Sequence, residues 1–337
     1  MHIKSRLAAI QSKVAISIFI LLFPFKVLAW TYAGHVLIAQ IAYDSLTPAQ
    51  QLKANSLTQS IFFQLLPEQQ QSLNARYPTA STFAKVALLP DIWKNWKIQT
   101  LFSHYEAPLP ANLAPYAQYT SATWHYIDTP YPDNAGCSPA APNITTILPL
   151  LEVDLPKARQ NIESAQAMHQ KEIARNQAGL VLIMLTHLVG DAHQPLHTFG
   201  KITSGCQTDK GGNEVCLKFN KKGKCTKNLH SLWDSGVGFI KPRINITATA
   251  KKLEARYPRS VFTSAELANV SPSNWAAINV TMAPFVYTLE GNEAISPAYY
   301  QHGQALATTQ MVLAGYRLAF ILQHSGILEP YIQVQIP

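Results

Sequence analysis

Apolar residues recur at the spacing of a helix face along most of this chain, and the two-residue alternation of a half-buried strand is scarce. That periodicity constrains the fold more than any other feature, because elements of one kind must bury their apolar stripes against one another. After Thr31, the positions Val36, Ile38, Ile41 and Ala42 approximate one helical face. Thr47-Pro48-Ala49-Gln50 then supplies an N-cap, a proline suited to the first helical position and a Gln for a capping box, so one helix ends and another begins there. Further helices are predicted over 58–74, 79–97, 147–165, 170–194, 228–239, 242–256, 272–292 and 297–323, the last two opening on Ser-Pro steps. Pro and Gly place loops at 108–119, 129–142 and 200–227, the third being the longest and most basic. The chain reads as all-α. It shows neither an internal repeat nor a low-complexity linker, so one helical domain is expected. With 337 residues, 47% hydrophobic and 14% charged, it can bury a substantial core without metals or cross-links, and disorder, collagen and coiled coil are excluded.

The first residues have a different character. Lys4, Arg6 and Lys13 precede an apolar run over 14–25 and the small-residue step Val27-Leu28-Ala29, the form of a secretory signal peptide. The run falls well short of the roughly 20 residues that span a bilayer. Cleavage after Ala29 is therefore expected, dividing the chain into a signal at 1–29 and a domain at 30–337 and making the product secreted or periplasmic. An uncleaved anchor is the alternative, against which Pro24 and Lys26 interrupt the apolar stretch. No other segment reads as a membrane span. Removal of the signal takes away four cations and no acid, so the formal charge of +8 is halved and the case for a polyanionic partner from charge alone weakens.

Export also changes the reading of Cys137, Cys206, Cys216 and Cys225, since thiols outside the cytoplasm tend to pair. Two disulfides are expected. Three connectivities remain open, and the crowding of three cysteines between 206 and 225 favours at least one local bridge. A cysteine zinc site competes poorly, because no Cys-x-x-Cys pair is present.

The densest polar segment is Thr186-His187-Leu188-Val189-Gly190-Asp191-Ala192-His193-Gln194-Pro195-Leu196-His197. His187 and Asp191 are four apart, which on a helix stacks an imidazole and a carboxylate on one face where both can reach one metal. Pro195 breaks the helix and lets His197 return from another direction. His193 falls on a different side and is expected to support the ligands from behind. A second i, i+4 pair stands at His230 and Asp234. Nitrogen and oxygen donors without thiolate suit a catalytic zinc site, which keeps a position open. A lone pair of this kind is commonly structural; two pairs together with His197 favour a metal centre. If cleavage follows Ala29, Trp30 adds a free amine and a carbonyl oxygen, and His35 stands five residues later.

From Trp30 to Ala314-Gly315-Tyr316-Arg317-Leu318-Ala319, the chain resembles the S1/P1 nuclease family, zinc-dependent nucleases and 3'-nucleotidases related to zinc phospholipase C. An N-terminal Trp, the Gly-Asp-x-His-Gln-Pro-Leu-His block and the Asn-Leu-His-x-x-Trp-Asp block occur in order. The resemblance implies an all-α domain of the phospholipase C/P1 nuclease type with a trinuclear zinc cleft. Three Zn2+ ions are implied: Trp30, His35 and Asp191 holding one; Asp91, His125 and His187 a second, with Asp191 bridging; and His197, His230 and Asp234 the third. Asp91 lies in Leu-Pro-Asp-Ile-Trp-Lys rather than the family's usual Trp-Ala-Asp, and an insertion over 95–122 leaves His104 or Glu106 as substitutes. The implied reaction is attack of zinc-activated water on phosphorus, with Asp91 and Asp191 holding the metals and Lys94 stabilising charge near the scissile phosphate. Tyr126 and Asp128 would meet the base, by its face and its edge respectively. Lys94 also reads as a solvated helix charge and Tyr126 as a wall of the site.

The substrates implied are RNA, single-stranded DNA and 3'-nucleotides, acted on by a monomer with no stable protein partner. Two other readings remain. A zinc phospholipase C would share the metal geometry, but the short gap from Trp30 to His35, and Asp234 where those enzymes carry Glu, favour the nuclease. A non-catalytic zinc-binding exported protein predicts substituted ligands, and all nine positions are filled. The lysine-rich segment 218–227 reads as a solvated loop or as a phosphate-steering one. Asn143, Asn245, Asn269 and Asn279 stand in Asn-x-Ser/Thr sequons, which become glycan sites only where the source organism uses them.

Overall fold

The computed structural model describes residues 30–133, 136–292 and 294–329; the expected signal at 1–29 lies outside the described residues. Helices form most of it. In chain order they are α1 Tyr32–Asp44, α2 Pro48–Phe62, α3 Pro67–Arg76, α4 Thr82–Val86, α5 Leu89–Trp93, α6 Ile98–His104, α7 Ile144–Ser164, α8 Met168–Asp191, α9 Leu229–Asp234, α10 Ile246–Arg256, α11 Ser264–Ala268, α12 Pro272–Val280, α13 Ala283–Val286 and α14 Pro297–His324. Short strands β1 Thr129–Tyr131, β2 Phe199–Ser204, β3 Gln207–Thr208, β4 Cys216–Phe219 and β5 Cys225–Asn228 complete it.

Side-chain caps set where the helices start. Thr47 makes the full capping box with Gln50 at the head of α2, and Ser271 and Ser296 cap α12 and α14 ahead of a proline. Two sequon asparagines serve the same end: Asn143 accepts the Thr145 and Thr146 amides of α7, and Asn245 that of Ala248 in α10. Asn279 is 1% exposed and donates to Ala192 O, so it offers no surface for a glycan.

Several expected helices are shorter than their periodicity. The stretch 58–74 is divided between α2 and α3, because Pro67 cannot continue an earlier helix and instead opens a new one. Pro90 likewise sits in the first turn of α5 and splits 79–97. The helix expected over 228–239 stops at Asp234, where Gly236, Val237 and Gly238 take positive φ. The stretch 272–292 ends at Val286. Conversely, the long basic loop carries four strands, with β1 parallel to β2, β3 antiparallel to β2, and β4 antiparallel to β5. Cys137–Cys206 and Cys216–Cys225 are the disulfides, the second being the local bridge.

Helix α8 is the axis of the molecule. Every residue from Asn176 to Asp191 is buried, and α7, α2, α1 and α14 pack around it. Gly179 permits the closest of these approaches, since a Cβ there would lie 2.6 Å from the backbone oxygen of Leu57 in α2. Helices α8 and α14 are long and apolar enough to cross a membrane, which corrects the expectation that no segment after the signal has the composition of a span. Yet 89% and 78% of their most apolar windows are buried in protein. They are core helices whose apolar surface is already covered.

Candidate metal centre

The C-terminal turn of α8 delivers His187 and Asp191 to one end of the core, both fully buried. Three imidazoles converge on the Asp191 carboxylate. His125 Nδ1 is 2.9 Å from Oδ2, His187 Nε2 3.2 Å from Oδ2, and His35 Nε2, brought by α1, 3.2 Å from Oδ1. Asp91, from α5, completes this cluster: it lies in one ligating group with His35 and His187, while His125, His187 and Asp191 form another. Five residues from four parts of the chain thus form one continuous set, in which His35 meets Asp91 as well as Asp191. His104 and Glu106 join neither group among the described residues; His104 packs edge-on against Trp96 and Tyr105 instead.

A second set stands beside it. Pro195 turns the chain after α8 so that His197 faces His230 and Asp234 of α9, with ligating atoms within 4.8 Å of one another. Gln194 donates to Asp234 Oδ1 at 2.7 Å and accepts the Leu196 amide, fixing the carboxylate and the turn together. Gly211 holds His230 in place: its carbonyl accepts from Nδ1 at 2.7 Å, and at φ +62 a Cβ would lie 2.1 Å from Leu196 O, so only glycine fits.

The hydrogen-bond pattern decides what these imidazoles can bind. His187, His197 and His230 each donate Nδ1–H to a backbone carbonyl, of Ala87, His125 and Gly211 respectively. That leaves each Nε2 with a bare lone pair. His197 Nε2 and His230 Nε2 nevertheless face each other at 3.1 Å, and burial holds both groups below the usual histidine range, His230 at about 3. Two lone pairs at that separation need an electrophile near both. In the first cluster, both His35 nitrogens, His125 Nε2, Asp91 Oδ2 and Asp191 Oδ1 are buried without a hydrogen-bond partner. Burial and the neighbouring His187 lower His35 to about 4. Burial opposes ionisation of Asp191, but His187 and His35 outweigh it and hold the carboxylate well below its ordinary value. An anionic carboxylate ringed by imidazoles, with buried ligating atoms left without hydrogen-bond partners, fits divalent metal.

Trp30 is fully buried beside both sets. Its indole N–H donates to Gly190 O at 2.8 Å, and the next amide, of Thr31, donates to Asp234 O at 2.9 Å. Behind α8, His193 donates Nδ1–H to Val189 O and accepts Arg317 Nη1 at 2.9 Å, while Arg317 also donates to Glu266 O and lies over the Trp275 ring. This anchor locks α14 to the turn that carries Asp191. The sequence marks His193 as a support, but the Arg317 contact spans 124 positions and has no local signal.

The two sets open into a pocket of about 340 Å³ lined by Asp91, Lys94, His125, His197 and His230, and further out by Tyr126, Asp128, Lys210 and Asn213. Lys94 Nζ is 3.3 Å from Asp91 Oδ1. Tyr126 is 38% exposed at the pocket. Asp128 is pushed up to about 6, by burial first and by Asp209 second. Lys210 and Asn213 carry no signal in the sequence; the glycine-rich turn that brings them back to the cleft becomes evident only once β2 and β3 are seen.

A helical domain with two adjoining buried His/Asp sets at the mouth of a cleft is a protein whose side chains can hold several metal ions. The S1/P1 nuclease family model matches residues 30–326, and the chain belongs to that family. Among curated relatives, Endonuclease 1 of Arabidopsis thaliana is 27% identical over 216 residues, covering 59% of this chain and 66% of that protein. Endonuclease 4 of the same plant is 37% identical over 54 residues, 16% of this chain and 15% of that protein. The chain thus spans just under two thirds of the first relative's length and far less of the second's.

Proposed function

We propose that the protein is an exported, zinc-dependent phosphodiesterase that hydrolyses RNA and single-stranded DNA to 5'-nucleotides and also acts on 3'-nucleotides. Family membership and the names of the two relatives support a hydrolase of nucleic acids. The observation that carries the metal part is the opposed pair of bare imidazole nitrogens on His197 and His230, 3.1 Å apart. In this reading three zinc ions are held by Trp30, His35 and Asp191; by Asp91, His125, His187 and the shared Asp191; and by His197, His230 and Asp234. Bound there, zinc acidifies water to a nucleophile near neutral pH and neutralises charge on the phosphoryl oxygens and the departing oxygen.

The chain's own groups do the rest. Asp191 keeps its negative charge because it faces three imidazoles, and would balance the charge of the cations that it helps to hold. Lys94, tethered to Asp91 at the pocket wall, brings a positive charge to a bound phosphate. Tyr126 offers its exposed ring to a base, a contact indifferent to base identity. Asp128 accepts from a base edge when ionised. Two disulfides between described cysteines support an oxidising compartment, as export requires.

The test is turnover of single-stranded nucleic acid, a 3'-mononucleotide and phosphatidylcholine by the purified protein, before and after chelation and with zinc restored. Nucleotide release that chelator abolishes and zinc restores is expected. Turnover of the lipid alone would sink the proposal and leave a phospholipase on the same scaffold.

A further inference from the structure

Beside the pocket, β4 and β5 form a hairpin paired from Cys216↔Asn228 to Phe219↔Cys225 and closed by the Cys216–Cys225 disulfide. Its turn is ordered by the Asn220 side chain, whose Oδ1 accepts the Lys222 and Lys224 amides at 2.9 and 3.0 Å, and Gly223 adopts φ +72. Lys218, Lys221, Lys222, Lys224 and Lys227 all lie on this hairpin, and it contains no acid. Among the described residues none of the five takes part in an ion pair. By contrast Lys201 is paired with Glu290 and Lys210 with Glu214. Phe219, the hairpin's exposed aromatic, is 46% accessible and stands directly after Lys218.

The hairpin is joined to the pocket rather than remote from it. At its base Asn228 donates to Asn213 O and Oδ1 at 3.1 and 3.2 Å, and the Leu229 amide donates to Val215 O at 2.9 Å. Asn213 lines the pocket, and His230, two residues after Asn228, is one of its ligating groups. Like charges held together on a covalently closed turn repel one another, and that repulsion is relieved when a polyanion lies across them.

We propose that this hairpin binds the phosphates of a single nucleic-acid strand beyond the nucleotide seated in the pocket, with Phe219 as a stacking face for one of its bases. The inference rests on the phosphodiesterase reading and adds a distal subsite to it. A single nucleic-acid strand is favoured over an anionic lipid surface because Phe219 has no exposed apolar companion on the hairpin: Leu217 is buried, and an interfacial anchor needs a broader apolar face.

The experiment compares wild type with a variant carrying Lys→Gln at all five positions and with its Lys→Arg counterpart. One readout is affinity for a phosphorothioate oligothymidylate of about 20 nucleotides, followed by fluorescence anisotropy across a salt series. The Gln variant is expected to bind about tenfold more weakly at low salt, with a salt slope shallower by about 0.7 for each phosphate that its side chains no longer neutralise, while the Arg variant keeps wild-type behaviour. Dinucleotide turnover is expected to be equal in all three. Unchanged affinity and slope in the Gln variant would overturn the inference. So would unchanged strand binding accompanied by the disappearance of binding to phosphatidylserine vesicles, which would assign the hairpin to lipid. Failure of wild type to cleave the dinucleotide defeats the phosphodiesterase reading instead, and the anisotropy still reports on the hairpin by itself.

Discussion

Asp128, proposed to meet a base edge, would serve recognition at the expense of stability. Its carboxyl is raised from 3.8 to about 6, by burial and then by Asp209, whose carboxylate accepts hydrogen bonds from the Tyr287 hydroxyl and the Lys201 amide. Between those two values the folded chain keeps a proton that the unfolded chain has released, so stability falls as pH rises through that window and stays lowered above it. Replacing Asp128 by Asn removes the penalty. The variant is expected to be about 1 kcal/mol more stable than wild type at about pH 8, after allowance for solvent screening, and no more stable at about pH 4. Urea midpoints at the two pH values check this, and an equal gain at both would refute the assignment of the penalty to ionisation. The helical pairs His187/Asp191 and His230/Asp234 are legible in the sequence because each stands in a short block, whereas Asp128 is read only through the family resemblance. Asp91 is legible only through the resemblance, and Arg317, Lys210 and Asn213 reach the site through contacts between distant segments that no local pattern encodes.

Among the elements, α8 and its neighbours decide where the ligands stand. Gly179 lets α2 lie against α8 so closely that an added methyl would meet the Leu57 carbonyl oxygen at 2.6 Å, which is backbone and cannot rotate away. Gly179→Ala is therefore expected to destabilise the fold by about 1–3 kcal/mol despite its better helix propensity, measured by denaturant unfolding. A stabilised variant would mean that α2 shifts freely. The helix starts after Thr47, Ser271 and Ser296 are readable because these residues carry capping side chains in the local sequence, whereas α7, capped by Asn143, starts three residues before the expected 147. Helix ends are not. Pro67 and Pro90 open new helices and so divide stretches whose apolar periodicity continues across the break, and the strands of 199–228 are too short for alternation to show.

At the scale of the molecule, two disulfides tie the one strand-rich region to itself at very different chain separations. Cys137–Cys206 joins residues 69 apart and Cys216–Cys225 residues 9 apart. Restriction of the unfolded chain makes the longer link the stronger contributor, about 4 kcal/mol against about 3. Paired Cys→Ala replacement at 137 and 206 is thus expected to lower the unfolding free energy more than replacement at 216 and 225, and the reverse order would contradict the chain-entropy account. The buried axis has a consequence of another kind. A helix as apolar as a membrane span, carrying ligands at its last turn, cannot be reduced to a smaller catalytic module: trimming α2, α7 or α14 would bare a surface that water does not tolerate. A shortened descendant of this scaffold, natural or designed, must therefore keep its whole circumference to keep its chemistry, and variation is left to the loops and the hairpin at the rim.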